Sequence, residues 1–103
     1  MPFRSATVQF KPAWGNPAAN RKQIAEIIAQ CASQNVQLVV LPEMCVSGYV
    51  FAGRDEILPY CEENEGESFD FFSDLAKRME MFLVYGFAER DGEALYNSQN
   101  LIA

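Results

Sequence analysis

Few residues in this chain have the chemistry to make or break bonds. There is no histidine among the 103 residues, and the three cysteines, Cys31, Cys45 and Cys61, stand apart from one another. No Cys-x-x-Cys pair occurs, so neither a zinc ribbon nor a thioredoxin-like redox site is indicated. The acid in the most suggestive setting is Glu43, within Leu41-Pro42-Glu43-Met44 and followed by Cys45 and the pair Gly48-Tyr49. Pro42 ends any strand pairing before it, which sets Glu43 at a strand terminus between apolar residues. A carboxylate against an apolar wall is pushed up in pKa by desolvation, and that suits a general base near neutral pH. Position alone is a weak signal, because an acid at a strand end more often serves a helix cap or a loop.

The other reactive groups have plainer readings. Cys31 falls on the apolar stripe of a helical pattern and reads as a small core residue rather than a nucleophile. Cys61 lies in an acidic stretch, where neighbouring carboxylates raise a thiol's pKa and blunt it. Lys77 reads as a solvated cation on a helix surface. The acids Asp55, Glu56, Glu62, Glu63, Glu65 and Glu67 form a run that reads as a solvated loop. They lack the order and glycine of an EF-hand, so no metal site is expected.

Composition bounds the rest. Half the residues are hydrophobic and the net charge is −6, a globular make-up with no attraction to a phosphate backbone, so nucleic acid is not an expected partner. The start of the chain leads straight into a strand-like segment without a signal-peptide core. No apolar run approaches the roughly 18 residues of a membrane span. The expectation is a cytoplasmic protein with reduced thiols and no membrane partner.

The elements that must position Glu43 follow from periodicity. Residues 5–10 alternate, with Ala6, Val8 and Phe10 on one face, as a strand does. Asn16 before Pro17 is a helix start, since asparagine caps free N–H groups and proline suits the first helical position. Ile24, Ile27, Ile28, Cys31 and Ala32 then repeat at helical steps to about Gln34. Val36 to Leu41 is a nearly continuous apolar run, as in a strand covered on both faces. Together these make a right-handed βαβ unit. Ser68 is placed to cap a second helix with the apolar stripe Phe69, Phe72, Leu75, Ala76 and Met79. Residues 82–88 read as a third strand, and Arg90-Asp-Gly92 as a hairpin-type turn leading to an antiparallel fourth strand over 94–102.

With these features in order, the chain resembles the nitrilase, or carbon–nitrogen hydrolase, superfamily over essentially its whole length. The matching features begin with the opening strand Ala6 to Phe10, the Gly15-Asn16 turn and Asn20. The strand running into Leu41-Pro42-Glu43 is the most specific, with Gly48-Tyr49 after it. Gly66, Gly86 within Val84 to Arg90, and Leu95-Tyr-Asn97-Ser98 complete the set. The resemblance implies residues 1–103 are the N-terminal part of an α/β (α+β) hydrolase domain, half of a four-layer α-β-β-α sandwich. This part would hold a mixed sheet of about four strands and two helices. It also implies a Glu-Lys-Cys triad acting on a small amide or nitrile, without cofactor or metal. Only the glutamate carries over, to Glu43, while Tyr49 is implied to line the substrate pocket. The lysine and the nucleophilic cysteine come later in the family's order, beyond Ala103; Cys45 is outside the family's nucleophile motif.

Two other readings compete. One is a non-catalytic interaction module derived from the same fold. The other is a doubly wound receiver- or flavodoxin-like domain, although no phosphate-binding glycine run follows the first strand. In the half-sandwich both helices would lie on one sheet face. The bare apolar face would then pair with the rest of the domain or with another copy.

Overall fold

The computed structural model describes residues 3–49 and 51–103. Its strands are β1 (Ser5–Thr7), β2 (Leu38–Val40), β3 (Phe82–Asp91) and β4 (Ala94–Ile102). Its helices are α1 (Pro17–Ser33), α2 (Arg54–Ile57) and α3 (Glu67–Met79), with a 3-10 turn over Leu58–Tyr60. The sheet order is β1-β2-β3-β4, parallel between the first three and antiparallel between β3 and β4.

The first two strands are shorter than periodicity predicts, although single rungs extend them. Val8 N donates to Val40 O at 2.9 Å, and Leu41 N to Val84 O at 2.8 Å. Pro42 has no N–H to continue the ladder, so β2 stops where the sequence says it must. Asn16 caps α1, its side chain accepting from the N–H of Ala19 at 3.2 Å, and Pro17 takes the first helical position as expected.

The second long helix starts differently from expectation. Its N-cap is Gly66, and Ser68 sits buried inside the first turn. The capping oxygens come from Glu62, which accepts from Ser68 N and Ser68 Oγ, both at 2.6 Å. A carboxylate at a helix N-terminus meets unpaired N–H groups and the positive end of the dipole together. Arg21 of α1 then reaches across to Ser68 Oγ at 3.2 Å and to Glu67 at 3.0 Å. Glu62 thus leaves the solvated acidic set. The stretch around it is also not a bare loop, since it contains α2 and the 3-10 turn.

Both long helices cover the same face of the sheet. Val39, Leu83, Tyr85, Phe87 and Ile102 pack with Ile24 and Ile28 of α1 and with Phe72, Leu75 and Ala76 of α3 in one buried cluster. Val39 is opposite Leu83, and Leu83 opposite Ile102, so these side chains share a side of the pleat. Each large apolar side chain buried there contributes about 1.5–3 kcal/mol. The alternate residues face the other way: Leu38, Val40 and Val84 are half-buried, while Phe82 is 42% exposed and Leu101 66%. A doubly wound fold would put helices on both faces, so that reading is excluded.

Candidate active site

The functional geometry is built on the turn that follows β2. Residues 43–47 form consecutive tight turns, closed by a hydrogen bond from Gly48 N to Met44 O at 2.9 Å. Met44 adopts φ +52°. A non-glycine residue in the left-handed region costs roughly 1 kcal/mol or more, and persists only where its surroundings enforce it. The turn directs Met44, Cys45, Val46 and Ser47 into the protein and leaves Glu43 exposed. Sequence reasoning set Glu43 against an apolar wall; in the structure its side chain is exposed while Met44 beside it is buried.

Three distant parts of the chain hold that turn. The first is Gly86 of β3, over which the turn lies so closely that a Cβ there would come 2.7 Å from Met44 N. The same atom would lie 2.9 Å from Glu43 Cα and from Pro42 O. The second is Asn97 of β4, whose side-chain amide donates to Glu43 Oε1. The third is Asn20 of α1, fully buried, which accepts from Ala13 N at 2.6 Å and donates to Ala13 O and Val46 O, both at 2.8 Å. Asn20 thereby ties the loop after β1 to the loop after β2. A backbone bond from Gly15 N to Ser47 O at 2.9 Å runs alongside.

Tyr49 is 46% exposed, at the outer end of the turn. Desolvation, and then the Glu43 carboxylate, push its hydroxyl above the usual tyrosine range. Trp14, Phe51 and Tyr60 cluster beside this loop, with ring centroids 5.3 Å apart for Trp14 and Phe51 and 5.9 Å for Phe51 and Tyr60. Gly48, at φ +86°, lies against the backbone of Trp14, and this joins the aromatic cluster to the Tyr49 turn.

The thiols stand apart from this chemistry. Cys45, although two residues from Glu43, is fully buried and donates to Gly86 O at 3.4 Å, and burial pushes its pKa to about 11. Cys61 is also raised, but by burial; the charges acting on it are Arg90 and Arg54, which work in the lowering direction. The expected effect of neighbouring carboxylates is therefore replaced by a hydrophobic one. Lys77 is exposed on α3, as its place in the helical pattern predicts.

Sequence reasoning singled out Glu43 and Tyr49, and the structure places them on one turn. It gave no role to Asn97. The available signals were its place in the matching stretch Leu95 to Ser98 and the presence of an asparagine in mid-strand, which strand propensity disfavours.

The carbon-nitrogen hydrolase family model matches residues 4–103. A nitrilase from Pyrococcus abyssi is 38% identical over 90% of this chain and 36% of its own length. A protein N-terminal amidase from Schizosaccharomyces pombe is 32% identical over 93% of the chain and 37% of its own length. A crystal structure of an N-terminal amidase superposes with a TM-score of 0.84 at 25% identity, over 96% of this chain and 24% of that one. The chain thus spans about a third of the length of the curated relatives it matches. On the family match across residues 4–103, and a fold shared with solved members, the chain belongs to the carbon-nitrogen hydrolase family.

Proposed function

We propose that residues 1–103 are the N-terminal part of a hydrolase of non-peptide carbon–nitrogen bonds, and that Glu43 is its general base. The supporting observation is an exposed carboxylate on a tight turn at the carboxyl end of β2, held by Asn97 and backed by Gly86. In this reading a cysteine and a lysine outside these residues complete the site. Glu43 takes the thiol proton as sulfur attacks a nitrile or amide carbon, and the lysine stabilises the charge developing on the substrate. On an amide, protonated Glu43 then gives its proton to the departing ammonia or amine. On a nitrile that proton goes to the nitrile nitrogen, and a first water adds to the resulting thioimidate before ammonia leaves, so both routes reach a thioester. Glu43 next takes a proton from the water that cleaves the thioester, which restores the thiol. Tyr49 lines the substrate pocket. Relatives named as nitrilases and as N-terminal amidases keep both nitriles and amides open as substrates.

The open face bearing Phe82 and Leu101 is where the rest of the domain, or another copy, docks in this proposal. Residence in the cytoplasm is part of the same proposal; among the described residues, no helix is long and apolar enough to cross a membrane. The chain by itself is expected to release no ammonia from benzonitrile or from an asparagine-initiated dipeptide. In the intact hydrolase, Glu43→Gln should keep the fold and abolish nearly all turnover, since glutamine cannot take a thiol proton. Activity retained within about tenfold, a change of only ~1.4 kcal/mol, would rule Glu43 out as the base. A non-catalytic assembly module would show no cysteine-dependent ammonia release from the intact protein at all.

A further inference from the structure

We propose that Asn97 is the positioning residue of Glu43, holding one carboxylate oxygen so that the other is presented as the base. This rests on the reading of Glu43 given above. Asn97 lies opposite Ala88 in the β3–β4 ladder. Ala88 is two residues beyond Gly86, so Asn97 projects from the sheet face on which the Glu43 turn rests. Its amide donates to Glu43 Oε1. An ionised carboxylate only accepts hydrogen bonds, and an amide N–H is a donor carrying no net charge. It therefore fixes the rotation of the carboxylate without pairing it to a full positive charge. The bond also survives the catalytic cycle. When Oε2 takes a proton, Oε1 becomes the carbonyl oxygen of a carboxylic acid and still accepts. Aspartate at 97 would occupy the same space, but when ionised it offers no donor and adds a second negative charge.

The test uses the intact hydrolase, with ammonia release from benzonitrile and from an asparagine-initiated dipeptide as readouts. Asn97→Ala should lower kcat about 10- to 100-fold, the range for a hydrogen bond to a charged group, with KM changed by less than about twofold. Asn97→Asp should be slower still. In a Glu43→Gln background, Asn97→Ala should cost nothing further, because the group it positions is no longer a base. A role in shape alone gives the opposite order, with the isosteric aspartate milder than alanine, and would overturn the proposal. So would losses that multiply in the double variant. If Glu43→Gln itself retains activity, the base assignment fails first, and the positioning role falls with it. If Glu43→Gln is inactive while Asn97→Ala turns over at the parent rate, only the positioning role fails.

Discussion

A single methyl group at position 86 should disturb the Glu43 turn. Adding a Cβ to a strand glycine ordinarily stabilises a protein by about 0.5–1 kcal/mol through the unfolded state. At Gly86 that carbon would lie 2.7 Å from Met44 N and 2.9 Å from Glu43 Cα and Pro42 O. All three are backbone atoms and cannot rotate aside. Since carbon contacts settle near 3.5 Å, the turn must retreat by roughly 0.7 Å or β3 must bow away. Overpacking of this kind costs about 1–3 kcal/mol, enough to outweigh the entropic gain, so Gly86→Ala should be destabilising by about 1–2 kcal/mol. In urea unfolding this appears as a midpoint lowered by about 0.5–1 M at unchanged slope. A displacement of that size at a base should also lower kcat of the intact hydrolase by about 10- to 100-fold. Gly53→Ala is the control, because a Cβ there meets nothing within 4 Å, and it should stay within about 0.5 kcal/mol. A Gly86→Ala protein as stable and as active as its parent would refute the close approach and the role given to it.

Asn20→Ala should destabilise by about 2–4 kcal/mol in the same unfolding assay. It removes three hydrogen bonds at a fully buried site and strands the polar groups of Ala13 and Val46. Native protein at pH 8 should leave Cys45 unmodified by iodoacetamide, read by mass spectrometry, since its thiol titrates near 11; unfolding should expose it. Alkaline stability has a definite sign. Burial raises Cys45 to about 11 and Tyr85 to about 12, both above their unfolded values, so the unfolded state loses its protons first. Their contribution is complete below pH 9 and decays as pH rises through 11 to 12, by at most ~1.4 kcal/mol per pH unit for each group. Unfolding midpoints that hold constant from pH 8 to pH 11 would contradict this.

Much of the frame was legible because it is local. Asn16-Pro17 announced α1, the spacing of Phe72, Leu75 and Ala76 announced the buried stripe of α3, and Pro42 marked where β2 stops. Glu43 was legible for the same reason, as an acid left at a strand end by a proline. What escaped depends on which strand faces which. Asn97 meets Glu43 only through the β3–β4 register and the curl of the turn over Gly86, and neither is written in a window of neighbours. Glu62 was missed as a helix cap because it precedes the helix by a loop, outside the usual capping spacing. Its carboxylate still does what a capping serine does. The surroundings of Cys61 were misread for a related reason. Its neighbours in sequence are acids, whereas in space it is buried with Met44 and Ala88, and burial is what raises its thiol.

The unequal strand lengths bear on the order in which the molecule assembles. The β3–β4 hairpin closes over two residues, with Gly92 at φ +61° in the first loop position, as primed turns require. Such a hairpin forms on the microsecond scale from its own residues alone. β1 and β2 are three residues each, and their parallel pairing must first close the whole of α1 into a crossover. The hairpin that carries Gly86 and Asn97 is thus available early, as a template. The Glu43 turn can settle on it only after β2 has docked and Asn20 has drawn the two loops together. The geometry around the carboxylate is therefore expected to form after the hairpin, because it draws on β2, α1 and β4 together.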